Sequence, residues 1–373
     1  MNKIRLAVMF GGRSGEHEVS LSSARSVLSV LSPEKYEVTQ IGITHSGQWL
    51  SGPDALTAFE QQRYDQLVPV VLLPELNRHT LYRINFNGTG PGLLPYADID
   101  CVFPVLHGTF GEDGAMQGLL ELNGIAYVGA GVTGSAIGMD KGLFKDIMRA
   151  NQIPVLPALV TNRFEIEKDI QKVIAGAEKE LGAYPYFTKP VNLGSSVGIT
   201  KIRSRSDLYE GLLEAARFDR RVLIEKGLNN PREIEVSVLG NEEPVASLPG
   251  EIRPSDDFYS YRAKYIDDRS ELLIPAPISD QLAQQVKELA VRIYRSVDCA
   301  GMARVDFLLD RETDQLYISE INTIPGFTKI SMYPKLWEAS GLPYAALVER
   351  LVELAYQRQA ERRRTEYQFR RDQ

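Results

Sequence analysis

The chain is poor in the residues that would mark several function classes. It has two cysteines and four histidines in 373 residues, which leaves little for a thiol or imidazole metal cage. Cys101 sits in an apolar strand-like run, Cys299 lies beside Ala300 and Gly301, and neither has metal-ligand spacing. Both read as small buried hydrophobes of a reducing compartment. Basic charge is lacking too: a net charge of -7 argues against nucleic-acid binding as the main business, since that requires a concentrated positive field. No apolar run approaches a membrane span. The run Leu6 to Phe10, after Lys3 and Arg5, is too short for a secretory signal and ends in Gly11-Gly12. These absences leave small-molecule chemistry in the cytoplasm, on a chain long enough for two or three domains with real cores.

What is present points to chemistry in the C-terminal third. Two strand-like segments, Ala303 to Leu309 and Leu316 to Asn322, carry polar side chains where a hairpin would hide aliphatics. Residues two apart on a strand share a face, so Arg304 projects with Asp306 and Glu320 with Asn322, while Val305, Phe307 and Ile321 turn away. If the Asp310 to Gln315 turn closes the hairpin symmetrically, Asp306 falls opposite Glu320 and Arg304 opposite Asn322. Facing carboxylates destabilise a sheet unless a cation lies between them. Asp306, Glu320 and Asn322 form a hard-oxygen set suited to Mg2+ bridging nucleotide phosphates. A solvated edge hairpin is the plain alternative.

The rest of the chain reads as α/β. Ile4 to Phe10 is a buried-strand run ending in Gly11-Gly12-Arg13-Ser14-Gly15, followed by helical spacing over Ser20 to Leu31. Further strands are predicted over Val38 to Ile43 and Ile99 to Leu106, the latter entering His107-Gly108-Thr109-Phe110-Gly111-Glu112-Asp113-Gly114. Both glycine loops should border one crevice at the carboxyl ends of the strands. Segment 51–98 carries no legible constellation and reads as excursion or decoration. From Gly129 follow a helix over Lys141 to Asn151, a strand near Val155 to Thr161, a helix over Phe164 to Leu181 and strands over Tyr186 to Pro190, Ile199 to Ile202 and Arg221 to Lys226. Gly227 is a hinge into a third region that ends in a helix over Tyr344 to Arg358. The basic tail beyond it reads as a solvated, fraying helix end.

Lys189, at the end of an apolar strand before Pro190, needs an anionic partner if buried. A nucleotide phosphate would supply one, and the loop Gly194-Ser195-Ser196-Val197-Gly198 lets backbone N–H groups approach a phosphate closely. No Walker motif occurs. Glu225 and Glu233, flanking a turn, are candidates for adenine or ribose contacts. The stretch Gly129-Ala130-Gly131-Val132-Thr133-Gly134 imitates a dinucleotide fingerprint, but the acidic residue it needs about 20 positions on is absent, since the next strand ends Thr-Asn-Arg.

With these motifs in order, the chain resembles the ATP-grasp carboxylate–amine ligases and, among them, the D-alanine–D-alanine ligase family. The likeness runs from Gly11–Ser20 through His107–Gly114, Gly194–Gly198 and Lys264-Tyr265 to Glu320–Thr328. It implies an α/β (α+β) fold of three regions, bounded at 1–129, 130–226 and 227–373, with ATP between the second and third. It implies two Mg2+ ions, replaceable by Mn2+, on Asp306, Glu320 and Asn322. It also implies a homodimer that joins two D-alanine molecules through an acyl phosphate for peptidoglycan synthesis. By motif, Glu16 should hold the first substrate's ammonium, linked to Ser195 and Tyr265, with Val19 and His107 nearby. Arg304 and the Gly326 N–H should face the oxyanion, and Ser331 with the Met332 N–H the second substrate's carboxylate. Lys141, Lys189, Ser195, Ser196 and Val197 should contact phosphates, Glu225, Lys226 and Leu228 the adenine, and Glu233 the ribose, with Asn322 also at ATP. Phe258, Lys264 and Tyr265 belong to a lid that would keep water from the acyl phosphate.

Several of these residues have a structural alternative. Glu16 could be a helix-start carboxylate, His107 a bonded structural histidine, Arg304 a salt-bridge partner of Asp306 or Glu320, Ser331 a plain N-cap and Lys141 an exposed surface lysine. Tyr265 favours D-alanine over D-lactate as second substrate, and Thr188 before Lys189 is a minor departure from the family pattern. The competing functions are a ligase for another acid–amine pair, a nucleotide sensor without turnover and an NAD-dependent oxidoreductase.

Overall fold

The computed structural model describes residues 3–86, 92–253 and 271–367. The lid residues Phe258, Lys264 and Tyr265 fall outside them. Among the described residues three sheets carry the architecture. The first contains β1 (Ile4–Gly11), β2 (Tyr36–Ile43), β3 (Trp49–Ser51), β4 (Val68–Leu72), β5 (Thr80–Asn85), β6 (Gly92–Asp98), β7 (Cys101–Pro104) and β8 (Ala126–Tyr127), in the order β6-β5-β4-β3-β2-β1-β7-β8. The strands β2, β1, β7 and β8 are parallel. From β2 outward to β6 each pair is antiparallel. Segment 51–98 is therefore not loose decoration: it supplies strands β4 to β6, which widen the sheet. Its short, turn-interrupted strands with mixed polarity gave no clean alternation to read.

The parallel centre is buried on both faces, which explains the unbroken apolar run of β1. One face packs on the helix Tyr344–Arg362, whose Leu347, Val348, Leu351, Val352 and Ala355 join Leu6, Phe10 and Phe103 in a single core. The helix runs past the expected Arg358, and residues 361–367 are exposed, as expected of a solvated end, while the remainder of the basic tail lies outside the described residues. The Arg358 guanidinium stacks 4.0 Å from the Tyr127 ring centre, and Arg362 pairs with Glu121.

The second sheet, β9 (Ala158–Asn162), β10 (Tyr186–Pro190), β11 (Thr200–Ile202) and β12 (Arg221–Lys226), is antiparallel in the order β11-β10-β12-β9. Tyr186, Val222 and Ile224 face the helices Arg163–Leu181 and Arg205–Phe218. The alternate residues Phe187, Lys189 and Glu225 line a cavity on the opposite face.

The third sheet comprises β13 (Arg232–Gly240), β14 (Val245–Ala246), β15 (Gly250–Arg253), β16 (Glu271–Leu273), β17 (Gly301–Leu309) and β18 (Leu316–Asn322). Its order is β16-β15-β13-β17-β18, with β14 on β13. Ile234, Val236, Val305, Phe307 and Ile321 pack against the helix Asp280–Ser296 and against Phe144, Met148 and Ile153. Thus 130–153 shares its core with the third sheet, and the polar face of that sheet meets the second sheet across a cavity of 910 Å3. No helix of the described residues is long and apolar enough to cross a membrane.

Candidate active site

The hairpin register places Asp306 opposite Glu320 and Arg304 opposite Asn322, as expected, but not for the expected reason: the turn closes symmetrically at Leu309↔Leu316 and the pairing comes from a bulge in the strand. Symmetric closure from Leu309↔Leu316 would set Asp306 against Ser319. The register shifts between Asp306 and Phe307, so Ser319 is the extra residue of a bulge and Glu320 reaches the pairing position. On the other side, β13 sets Glu235 opposite Asp306 and Ser237 opposite Arg304. Three carboxylates, Glu235, Asp306 and Glu320, therefore form a row across three strands. Sequence reading passed over Glu235, because only the pairing of β13 with β17 brings it to the row.

Cations from neighbouring positions compensate this row. Arg304 reaches Asp306 with both Nε and Nη2, at 2.7 and 2.6 Å, and its Nε lies 2.9 Å from Glu235. Burial opposes the guanidinium charge, but Asp306 and Glu235 hold its pKa well above the ordinary value. The salt-bridge alternative for Arg304 is thus what this state displays. Asn322 donates to Asp306 at 2.9 Å, and its carboxamide oxygen offers a further donor atom beside Asp306 and Glu320. Two carboxylates and an amide oxygen from one hairpin fit a hard divalent cation. Lys141 is not an exposed lysine: it is 8% exposed, donates to Leu193 O at 2.7 Å and lies 3.7 Å from Glu320.

Lys189 pairs with Glu225 Oε2 at 2.6 Å. The two residues lie on one face of the β10–β12 pair, where Glu225 faces Phe187 and Lys189 faces Leu223. A second lysine, Lys145, takes the other oxygen, Oε1. Glu225 is buried, which disfavours its charge, yet the two ammonium groups hold it down at about 2. Lys145 was not singled out from sequence. The signal was available: Lys141, Phe144, Lys145 and Met148 share the buried face of the helix Lys141–Ala150, capped by Asp140 at Leu143 N. A lysine on an apolar helical face calls for a buried partner.

Around Lys189 the 910 Å3 cavity is lined by Ser196, Lys226, Leu228, Glu233, Asp306 and Glu320, and it lies in the size range of cofactor sites. A smaller cavity of 190 Å3 also adjoins the serine loop, lined by Ser14, Gly15, Glu16, Thr109, Leu193, Gly194, Val197 and Phe218. Ser195 donates from Oγ to Glu16 Oε1. Ser195 and Ser196 have φ of 52° and 57°, the left-handed region that L-residues rarely adopt. Glu16 is the N-cap residue of its helix, His17–Leu28, as the helix-start alternative requires, but its side chain makes no cap bond. Gly108 and Gly194 press on its Oε2, where any Cβ would collide. Val19 is buried in the first turn of the same helix.

His107 is fully engaged. Nδ1 lies 2.9 Å from Ile324 O and Nε2 2.9 Å from Ser23 Oγ, which in turn accepts from Phe327 N at 3.2 Å. That chain is satisfied by an Nδ1–H imidazole, and burial lowers the pKa of the ring to favour the neutral form. The structural reading fits His107, which ties the His107–Gly114 loop to the one after β18. Glu112 ties the same two loops, accepting Gly108 N at 2.7 Å and Ile324 N at 2.8 Å. Burial, aided by the charge of Glu16, pushes this carboxyl up to about 8.

Ser331 precedes the helix Met332–Ala339 but makes no cap bond. Its Oγ turns instead to Thr328, 2.7 Å from Oγ1 and 3.2 Å from N, which leaves the Met332 N–H end uncapped by it. A Cβ at Gly326 would lie 3.2 Å from Ser331 Oγ, so Gly326 and Ser331 approach one another. In the fingerprint-like Gly129–Gly134 stretch, a packing role accounts for one glycine. Gly134 packs where a Cβ would lie 2.7 Å from Asp298 O, and this close approach is why a glycine stands there.

Antiparallel sheets enclosing lysines and a hard-oxygen row, next to a small amino-acid-sized pocket, define an ATP-dependent ligase of the ATP-grasp fold. Residues 5–130 match the model of the D-ala D-ala ligase N-terminus, and residues 147–353 that of the D-ala D-ala ligase C-terminus. The chain is 46% identical over 373 residues to the D-alanine--D-alanine ligase of Natranaerobius thermophilus, covering 99% of each. It is 49% identical over 359 residues to that of Thermoanaerobacter pseudethanolicus, covering 95% of this chain and 97% of the relative. The solved D-alanine-D-alanine ligase of Coxiella burnetii superposes with a TM-score of 0.79 at 34% identity and 97% coverage of both chains. The VanG D-Ala:D-Ser ligase of Enterococcus faecalis gives 0.80 at 33% identity, covering 95% of this chain and 100% of its own. The chain belongs to the D-alanine–D-alanine ligase family.

Proposed function

We propose that the protein joins two D-alanine molecules into D-alanyl-D-alanine, converting ATP to ADP and phosphate, for peptidoglycan precursor synthesis. The observation that carries this reading is the adjacency of the two cavities at one serine loop. Glu16 holds an ammonium on one side while Lys189 holds a triphosphate on the other, beside the carboxylate row that would take the divalent cation. In this reading the carboxylate oxygen of the first D-alanine takes the γ-phosphoryl group, ADP leaves, and the amine of the second D-alanine attacks the acyl phosphate. Phosphate then departs from the tetrahedral intermediate and the amine sheds a proton.

The residues have distinct duties. Lys141 and Lys189 neutralise phosphate oxygens, Ser195 to Val197 present N–H groups and hydroxyls, and Glu225 to Leu228 with Glu233 position the nucleoside. Arg304 and the Gly326 N–H face the developing oxyanion, which is where preorganised donors lower a barrier most. Ser331 and the Met332 N–H take the second substrate's carboxylate at a helix start. Mg2+, or Mn2+ in its place, held by Asp306, Glu320 and Asn322, would neutralise charge on the transferring phosphate. Phe258, Lys264 and Tyr265 complete the lid in this reading, and the working form is a cytoplasmic homodimer of three-region subunits bounded near residues 129 and 226. The test is phosphate release from ATP that requires both D-alanine and a divalent cation. Release that proceeds without D-alanine would favour a nucleotide sensor or simple ATPase.

A further inference from the structure

We infer that Lys145 is a stationary counter-ion whose job is to free Lys189 for the nucleotide; the inference rests on the nucleotide reading of the 910 Å3 cavity. The two lysines share one carboxylate but differ in place. Lys189 reaches Glu225 Oε2 from the cavity wall, with a side chain 15% exposed. Lys145 reaches Oε1 from behind, from the buried face of its helix, with a side chain 2% exposed, and it is not among the cavity-lining residues.

A phosphate ligand must draw the Lys189 ammonium away from Glu225. With one lysine only, that movement would strand a buried carboxylate without a cation, and the stranded charge would oppose binding. With Lys145 fixed on the opposite oxygen, Glu225 stays neutralised throughout. Of the two ammonium groups on this carboxylate, the accessible one is Lys189. The opposed directions of the two lysines agree: burial lowers Lys145, whereas Glu225 and the further carboxylates Glu320 and Glu233 outweigh burial and raise Lys189. Lys145 touches no substrate in this account and is a positioning residue.

The account separates ligands that need Lys189 from those that do not. ADP with Mg2+ requires the exchange, and adenosine does not. In Lys145→Met, titration calorimetry should find ADP weakened by about 10- to 100-fold, the worth of one charged hydrogen bond, with adenosine within about threefold. Adding Lys145→Met to Lys189→Met should cost ADP nothing more. Adding Glu225→Gln to Lys145→Met removes the stranded charge and should restore the ratio of ADP to adenosine affinity toward the wild type; the ratio is the readout because Glu225 also faces the nucleoside and its loss there weakens both ligands alike, and this double variant carries the test if Lys145→Met alone does not fold. Equal weakening of ADP and adenosine, additive losses with Lys189→Met, or no recovery with Glu225→Gln would overturn the counter-ion role. Wild-type protein that fails to bind ADP would overturn the nucleotide reading together with it.

Discussion

Ser195 donates a hydrogen bond to Glu16, joining residues 179 positions apart and closing the serine loop over the small cavity. In the proposed reading the bond ties the phosphate side of the site to the ammonium side through one loop. Glu16→Gln keeps a hydrogen-bond acceptor for Ser195 but removes the charge that an ammonium requires. Steady-state kinetics should show kcat/KM for D-alanine falling by about 10- to 100-fold, while calorimetry finds ADP affinity unchanged.

The carboxylate row makes a separate prediction about metal. Asp306→Asn or Glu320→Gln removes one anionic ligand while keeping the pairing of β17 with β18. The Mg2+ concentration for half-maximal turnover should rise at least about tenfold, as loss of a charged ligand implies. An unchanged Mg2+ requirement in both variants would place the metal elsewhere.

Two glycines separate function from packing. Gly108 has φ of 76° and stands where a Cβ would collide with Glu16 Oε2. Gly108→Ala should therefore raise KM for D-alanine and cost about 1–2 kcal/mol of stability. Gly134→Ala should lower the melting temperature with no nucleotide-specific loss in calorimetry, because its Cβ meets Asp298 O rather than a ligand.

His107 gives stability a pH dependence of known sign. Its folded pKa lies below the unfolded value near 6.5 because burial favours the neutral ring. The unfolded chain therefore binds the extra proton first, so this contribution is present above pH ~6.5 and is lost as pH falls below it, at up to about 1.4 kcal/mol per pH unit. Glu112, pushed up to about 8, contributes a slope of opposite sign over the same window, so the readout is the difference: on going from pH 7.5 to 5.5, urea unfolding should show stability falling less, or rising more, in His107→Asn than in the wild type. Equal slopes would show that His107 does not titrate differently in the fold.

The local part of this site was legible in the sequence. The two-residue alternation in 303–309 and 316–322 exposes the polar face of the hairpin, and the motif resemblance pairs Glu16 with Ser195. Long-range compensation was not legible. Glu235 joins the row only through the β13–β17 pairing, Lys145 finds Glu225 only when a helix packs behind a sheet, and the bulge at Ser319 follows no local signal. Likewise, segment 51–98 hides three strands because edge strands with mixed faces lack strict alternation.

The most direct test is mass spectrometry of the products formed from ATP, Mg2+ and D-alanine. The account predicts D-alanyl-D-alanine in a one-to-one ratio with ADP and phosphate, and no dipeptide from L-alanine. Phosphate without dipeptide, or equal turnover of L-alanine, would contradict it.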